Sequence, residues 1–249
     1  MGIIIKSSEE IAAMRKAGGI VARILQRLVS QIRPGMRTRE LDNMCLEELS
    51  KYGAQSSFKG YRGFPAHICT SVNDEVVHGI PGERTLCEGD VVSIDVGVIY
   101  DGFQGDAAIT VGVGEISPEA RRLLKVTEDA LLAGIAAAKD NARLGDVSAA
   151  IQRCVEAGGF SVVREYTGHG IGRDMHEEPQ IPNFGTSGRG PLLRKGMTLA
   201  IEPMVNSGGW STRLSDDQWT VTTADGSLSA HFEHTVAVTD GGPEILTMM

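Results

Sequence analysis

The chain has 249 residues, 41% hydrophobic and 22% charged, the balance of a soluble globular protein with an ample core. Its formal net charge of −8 argues against nucleic acid or an anionic membrane as a main partner. No apolar run approaches the roughly 20 residues of a transmembrane helix, and the N-terminus lacks the pattern of a signal peptide. The four cysteines are scattered without a C-x-x-C pair, which favours free thiols in a reducing cytoplasm.

The first part of the chain predicts two helices followed by a loop and a strand. A capping box at Ser7–Glu10 begins a helix whose apolar residues recur at helical spacing as far as Ile32, before a Pro-Gly pair. Thr38 is the candidate cap of a second helix, which stops at a glycine. An aromatic, glycine-broken loop from 58 to 64 and a strand from 68 to 77 follow.

The stretch 91–106 predicts a hairpin that carries two acids. Its apolar residues are β-branched, and Asp101-Gly102 is typical of a tight primed turn. With that turn, Asp95 faces position 108 and Asp106 lies two residues away on the same face. Two carboxylates in an apolar setting repel each other unless a cation lies between them. A divalent metal is the simplest candidate, and two surface acids near a turn are the alternative.

The second part of the chain repeats the pattern of helix, helix and strands. Ser117 precedes a proline at the first helical position, Gly145 breaks that helix, and Asp146 is the candidate cap of the next one. Several strand-like segments follow, the last from 219 to 238 with a fold at Asp225-Gly226.

The two parts can be aligned on each other, because the segment that ends at Asp95 resembles the segment that ends at Glu202. We therefore predict an internal repeat, roughly 7–115 and 116–245, within one domain that covers residues 1–249. The predicted class is α+β with pseudo-twofold symmetry, the sheets meeting in the middle and the helices covering the outside. The alternative is chance similarity between two helix-helix-strand units.

Further candidate ligands lie in the second part. His169 stands among three glycines, and Glu202 ends an apolar strand. Glu233 lies in a segment predicted to be one alternating strand, so that Phe232 and His234 face away from it. Four carboxylates and one imidazole form a hard set suited to two divalent ions such as Mn, Fe, Co or Zn. The set comprises Asp95, Asp106, His169, Glu202 and Glu233.

In these ligands and in three further motifs, the chain resembles the type I methionine aminopeptidases, which are metallopeptidases of the pita-bread fold. The motifs are Gly60-Tyr61-x-Gly-Phe64-Pro, Val77-His78-Gly-Ile-Pro, and Thr167-Gly-His169-Gly-Ile-Gly-x-x-Met175-His176-Glu-Glu-Pro. The resemblance runs from about Ser7 to Thr239 and implies two pseudo-symmetric halves with a central antiparallel sheet and outer helices. The short chain is similar to the simplest bacterial subtype.

The resemblance also implies a role for each ligand. Asp106 and Glu233 would bridge two metal ions, Asp95 would complete one of them, and His169 and Glu202 the other. The implied cofactor is thus a pair of divalent ions, Co, Mn, Fe or Zn.

Catalytic and substrate-binding roles are implied as well. His78 would hydrogen-bond the peptide beyond the scissile bond, and His176 would contact the carbonyl and steady the oxyanion. Glu202 would pass a proton from the attacking water to the leaving amine. The methionine pocket would be lined by Phe58, Tyr61, Phe64, Cys69, Met175 and Trp219. Aromatic and sulfur neighbours suit a long, polarisable methionine side chain.

Three pocket positions depart from the family pattern. Phe64 stands where many relatives have Tyr, Phe58 where a smaller residue such as Cys is expected, and Met175 where an aromatic is expected. These differences should alter the pocket's shape and inhibitor preference and leave the reaction unchanged.

The expected activity is removal of the initiator methionine from nascent chains whose second residue is small. We expect a cytoplasmic monomer that acts on nascent polypeptide N-termini, with docking on the ribosome left open. One alternative is an X-Pro peptidase of the same fold, although such relatives usually carry an added N-terminal domain for which this chain has no room. Another is a non-catalytic pita-bread binding module, although such proteins typically lose the ligands that are present here.

Overall fold

The computed structural model describes residues 2–248. Within them the chain forms four long helices, each of which buries one face. They are α1 Ser8–Val29, α2 Thr38–Tyr52, α3 Pro118–Ala137 and α4 Leu144–Ala157. No helix of the described chain is long and apolar enough to cross a membrane.

The start of α1 is the predicted capping box. The Ser7 hydroxyl accepts from the Glu10 N–H at 3.3 Å, and the Glu10 carboxylate accepts from the Ser7 N–H at 3.0 Å. The helix ends at Val29, earlier than the apolar spacing up to Ile32 suggests. Ile32 still packs against the core from the following turn, which explains why the spacing continued past the helix.

The caps predicted at Thr38 and Asp146 are wrong, and both are corrected in the same way. The caps are Arg37 and Arg143, whose backbone N–H groups donate to carboxylates three residues later, at 2.7 Å to Glu40 and 2.8 Å to Asp146. Thr38 and Asp146 are therefore already helical. An arginine side chain cannot accept a hydrogen bond, so of each capping box only the acid, Glu40 or Asp146, is recognisable in the sequence.

Fifteen strands are formed within residues 2–248, and all paired strands run antiparallel. In chain order they are β1 Gln55–Ser56, β2 Cys69–Val72, β3 Glu75–Val77, β4 Val91–Tyr100, β5 Phe103–Gly112, β6 Ser161–Val162, β7 Thr167–Gly170, β8 Glu177–Pro182, β9 Thr198–Ile201, β10 Met204–Asn206, β11 Thr212–Leu214, β12 Val221–Thr223, β13 Ser229–His231, β14 His234–Thr239 and β15 Gly242–Ile245.

The strands form four small sheets. The first has the order β1-β4-β2, with β5 on β4, and the largest has the order β15-β14-β9-β7-β8. The other two are β13-β10-β6 and β11-β12-β3.

The hairpin predicted over 91–106 is confirmed. Strands β4 and β5 are joined by Asp101-Gly102, and both turn residues have positive φ, 52° and 75°. Asp95 pairs with Ala108 and Asp106 with Gly97. The two acids are thus diagonal neighbours on one face of the hairpin, as expected.

Two predicted strand segments contain breaks that the sequence does not predict. The strand expected over 68–77 becomes β2 and β3, because Asn73 turns the chain with a φ of 60°. The segment 219–238 turns at Asp225-Gly226, between β12 and β13, as predicted, and it breaks again between β13 and β14. Glu233 lies between the last two, since its backbone N–H donates to the Ala108 carbonyl of the opposite half at 2.9 Å.

Direct hydrogen bonds join the two parts of the chain. The side-chain hydroxyl of Thr235 in β14 accepts from the Asp106 N–H at 3.0 Å and donates to the Asp106 carbonyl at 2.8 Å. Arg37 and Arg143 form equivalent isolated bridges, to Thr85 and Leu192. These matched bridges agree with an internal repeat, and the exact halves, 7–115 and 116–245, stay a prediction.

Two neighbouring glycines of α1 provide a test of the packing. A Cβ on Gly18 would lie 2.2 Å from the Leu246 carbonyl oxygen, whereas a Cβ on Gly19 meets nothing within 4 Å. Gly18→Ala is therefore expected to lower the free energy of unfolding by about 1–3 kcal/mol. Gly19→Ala should raise it by up to about 1 kcal/mol, since alanine favours the helix. Urea denaturation of both variants measures the difference, and equal effects would contradict this packing.

Candidate metal and active site

One cavity of about 140 Å³ brings all of the predicted site residues together. Acidic and imidazole side chains line one part of it, and aromatic and sulfur side chains line the rest. The complete lining is Phe58, Tyr61, Arg62, Phe64, Cys69, His78, Asp95, Asp106, His169, Met175, His176, Glu202, Trp219 and Glu233. Arg62 is the one lining residue that the sequence analysis did not single out.

The candidate ligands reach the cavity from both parts of the chain. Asp95 and Asp106 come from the β4–β5 hairpin, His169 from β7, Glu202 from the end of β9, and Glu233 from the link between β13 and β14. Asp106, His169 and Glu233 offer ligand atoms that all lie within 4.8 Å of one another, and all three side chains are buried. This grouping is compact enough for one cation to touch all three residues.

His169 faces two of the carboxylates. Its Nε2 lies 3.5 Å from Glu202 Oε1 and 4.0 Å from Asp106 Oδ2. The other ring nitrogen, Nδ1, lies 2.9 Å from the Gly170 carbonyl oxygen. That contact is satisfied by a protonated Nδ1, which leaves Nε2 as a lone-pair donor directed at the acids.

Several buried carboxylate oxygens lack a hydrogen-bond partner among the described residues. They are Asp95 Oδ1, Asp106 Oδ1 and Glu233 Oε1. Unsatisfied buried acceptors are costly, and a cation removes that cost. These oxygens, with the imidazole lone pair, fit a divalent metal.

The pKa values of the four acids show how strongly burial opposes their ionisation. Burial raises the pKa of Asp95 to about 7, with His231 opposing the rise and Glu202 adding to it. Burial also raises the pKa of Asp106, Glu202 and Glu233 well above the ordinary carboxyl range. Four acids crowded in this way can all ionise only beside a compensating cation.

The glycines around His169 have a structural role. A Cβ on Gly168 would lie 2.4 Å from the Ala200 carbonyl oxygen, and one on Gly170 would lie 2.2 Å from that of Glu178. These glycines allow β7 to lie between β8 and β9, which places His169 at the cavity.

Two further histidines line the cavity. His78 has an unusual φ of 60°, and burial lowers its pKa to about 4, so its imidazole is neutral at physiological pH. His176 lies 4.2 Å from His169 between ring centroids. The Tyr61 hydroxyl lies 2.9 Å from His176 Nδ1 and its ring stacks on the imidazole, so the Nε2 side of His176 is free for a ligand.

The remaining wall is apolar. Phe64 packs edge-to-face against Trp219 and Phe58, with ring centroids 5.1 and 6.5 Å apart. Cys69 and Met175 are both 5% exposed and join the same cluster. Burial raises the pKa of the Cys69 thiol well above its ordinary value, so it acts as an apolar group. The wall suits a slender apolar side chain.

His231 also lies next to the site, although it is not among the residues predicted from the sequence. Its Nε2 is 3.7 Å from Glu202 Oε2. His231 precedes Glu233 by two residues, and the spacing rule for strands could have placed both on one face. Arg62 carried no such signal, because it lies in a short turn with a φ of 49°.

The chain is similar to known proteins over its whole length. The chain is 55% identical over 247 residues to a methionine aminopeptidase of Clostridium perfringens, covering 99% of both chains. It also matches the crystal structure of methionine aminopeptidase from Thermotoga maritima, with a TM-score of 0.98, 49% identity and complete coverage of both chains. The predicted α+β pita-bread fold is thereby confirmed.

A more distant match shows the fold alone. The prolidase from Pyrococcus furiosus matches with a TM-score of 0.81 and 23% identity, over 99% of this chain and 66% of that one.

The family model described as metallopeptidase family M24 matches residues 12–240. The chain therefore belongs to metallopeptidase family M24.

Proposed function

We propose that this chain removes the N-terminal methionine from nascent proteins whose second residue is small. One observation carries the proposal: a cluster of metal-ligating side chains and a narrow apolar wall share a single cavity. An exopeptidase for methionine needs both, since the first supports hydrolysis and the second selects the side chain. Relatives at about half identity over the whole chain are named methionine aminopeptidases.

The chain uses a divalent metal, as its membership of a metallopeptidase family and its cluster of Asp106, His169 and Glu233 support. We infer two ions, with Asp106 and Glu233 shared between them, Asp95 on one, and His169 and Glu202 on the other. The donors are four carboxylates and one imidazole, a set that accepts Mn, Fe, Co or Zn. When bound, such ions lower the pKa of water and stabilise the charge of a tetrahedral oxyanion.

The protein's own groups would orient the substrate and move the proton. His176 offers Nε2 to the carbonyl oxygen, because Tyr61 occupies its Nδ1. His78, held in a strained backbone conformation, would hydrogen-bond the peptide beyond the scissile bond. Glu202 would take the proton from the attacking water and release it to the leaving amine, a general base and then a general acid.

The apolar wall would hold the methionine side chain. A linear thioether would lie against the edge-to-face pair of Phe64 and Trp219, and sulfur–aromatic contacts are favourable. The raised thiol pKa of Cys69 keeps that wall uncharged. We infer that Phe58 and Met175 give the pocket a different shape from that in relatives with Cys and an aromatic residue at these two positions.

A pair of peptides tests the proposal against the X-Pro alternative, which the prolidase match raises as a matter of fold. Purified protein is reconstituted anaerobically with Fe, Mn, Co or Zn and given Met-Ala-Ser or Ala-Pro-Ala. We expect methionine release from the first, no cleavage of the second, and loss of activity with a chelator. Preferential cleavage of Ala-Pro-Ala would establish the alternative. Absence of bound metal after each reconstitution would indicate a non-catalytic binding module.

Removing the Tyr61 hydroxyl should weaken catalysis through His176. Tyr61→Phe keeps the stacked ring and loses the 2.9 Å contact to Nδ1. A neutral hydrogen bond contributes about 0.5–1.5 kcal/mol. We therefore expect kcat to fall about 2–10-fold on Met-Ala-Ser. Phe64→Tyr, which adds a hydroxyl elsewhere in the pocket, is the matched control, and an equal loss of kcat there would contradict a role through His176.

The setting of the enzyme follows from the proposed reaction. Nascent polypeptide N-termini are its substrates, which places it in the cytoplasm, where they emerge. Docking on the ribosome surface would bring the cavity close to them, and we propose that the enzyme acts as a monomer. Sedimentation of purified protein, alone and with ribosomes, tests both points.

A further inference from the structure

His231 is a buried imidazole that the proposed reaction does not yet use. It is only 2% exposed, and its Nε2 has no hydrogen-bond partner among the described residues. Leaving a buried polar nitrogen unpaired is energetically costly. An unpaired nitrogen at the edge of a reactive site therefore points to a contact that forms in the working enzyme.

The group that His231 faces is the carboxylate of Glu202. His231 Nε2 lies 3.7 Å from Glu202 Oε2, while Glu202 Oε1 lies 3.5 Å from His169 Nε2. The carboxylate therefore lies between two imidazoles, with one oxygen directed at each. If Oε1 ligates a metal together with His169, Oε2 is the oxygen left to carry a proton.

The backbone of His231 is fixed on two sides. Its N–H donates to Thr110 Oγ1 at 2.8 Å, and its carbonyl accepts from the same hydroxyl at 2.8 Å. On the other side it pairs with Met204, two residues after Glu202. The imidazole is therefore carried by a rigid strand, and the more mobile partner is the Glu202 carboxylate. Rotation about the soft terminal torsion of Glu202 is enough to shorten the 3.7 Å between His231 Nε2 and Glu202 Oε2 to a hydrogen-bonding distance.

We propose that His231 is a positioning residue that donates a hydrogen bond from Nε2–H to Glu202 Oε2. This inference rests on the proposed role of Glu202 in hydrolysis. The contact holds the carboxylate in one rotamer, so that Oε1 stays with His169 and Oε2 faces the reacting atoms. The proton that Oε2 takes from the attacking water leaves with the amine, and the His231 proton is not transferred. Partners that orient a ligating side chain in this way commonly support metal sites.

Two replacements of similar size separate a hydrogen-bonding role from packing. His231→Gln keeps an N–H donor near the position of Nε2, whereas His231→Leu removes it. We expect His231→Leu to lower kcat for Met-Ala-Ser about 10–100-fold, with a smaller change in KM. His231→Gln should recover most of that loss. His234→Leu is the strand control, because His234 bonds Thr247 instead of Glu202, and its kcat should match the parent.

A second measurement does not depend on activity. Nitrogen-15 NMR of the imidazole side chains, on metal-free and zinc-loaded parent protein, reports which nitrogen of His231 carries the proton. We expect a protonated Nε2 in both samples, with exchange of its N–H with solvent slowed by the hydrogen bond to Glu202. This measurement also decides the matter if His231→Leu fails to fold.

Three outcomes would overturn the proposal. The first is parental kcat in His231→Leu, and the second is a loss in His231→Gln as large as in His231→Leu. The third is an Nε2 that loses its proton on zinc loading, which would make His231 a metal ligand. If the parent releases no methionine at all, the proposed function fails, and the NMR result still decides whether His231 contacts Glu202.

Discussion

Asp106→Asn is expected to remove most of the metal binding and nearly all of the activity. Asp106 is 3% exposed, belongs to the three-residue ligand cluster, and has an oxygen with no protein partner. A neutral amide cannot bridge two cations as a carboxylate does. Metal ions contribute several kcal/mol of transition-state charge stabilisation, so kcat/KM for Met-Ala-Ser should fall at least about a thousandfold.

The measurement joins metal content and turnover in the same samples. Metal-free parent and variant are titrated calorimetrically with Mn or Co, and each titrated sample is then assayed. Glu48→Gln is the matched control, because it removes one carboxylate from α2 that pairs with Lys51 instead of the cluster. Parental binding and turnover are expected for it. Turnover of Asp106→Asn within tenfold of the parent would exclude the proposed bridging role.

The parts of the fold that the sequence predicts well are those set by near neighbours. The capping box of α1 depends on Ser7 and Glu10, and the β4–β5 register depends on the turn at Asp101-Gly102. Because side chains alternate along a strand, that register also places Asp95 and Asp106 together. The candidate ligands of the second part, His169, Glu202 and Glu233, come from residue type and local pattern, and the roles that the resemblance implies for them stay predictions.

The parts that the sequence does not predict depend on distant contacts. The break before β14 arises because Glu233 bonds to Ala108, about half the chain away. The alternating pattern around Glu233 carries no sign of that contact, so the sequence predicts an unbroken strand there. His231 was missed for a related reason, since only the fold brings Glu202 to its Nε2. Local periodicity thus predicts which residues share one face of a helix or strand. Which residues of the two parts of the chain contact each other is known only from the three-dimensional structure.

Removing the metal is expected to destabilise the protein, and increasingly so at higher pH. Burial raises the pKa of the four clustered carboxyls, to about 7 for Asp95 and well above the ordinary range for Asp106, Glu202 and Glu233. A raised pKa in the folded state stabilises it fully below the unfolded value, and that stabilisation is lost as pH rises through the folded value. Above about pH 7.5 the buried histidines are neutral in both states, so the carboxyls dominate.

Thermal unfolding of chelated protein between pH 7.5 and 9 measures this effect. The melting temperature should fall as pH rises, and added Mn or Co should reverse the fall by neutralising the ionised cluster. At a metal concentration of about 100 Kd, one site adds about 2.7 kcal/mol. For a chain of this size that corresponds to about 5–10 °C in melting temperature.

Asp106→Asn provides the control, because it removes one of the mutually repelling acids. The metal-free variant should melt at or above the metal-free parent, with a weaker dependence on pH and little response to metal. The same substitution thus destroys activity and relieves repulsion, which is the signature of a site kept for function at a cost in stability. A variant that melts well below the parent without metal would mean that Asp106 is held by contacts within the protein and not for a cation.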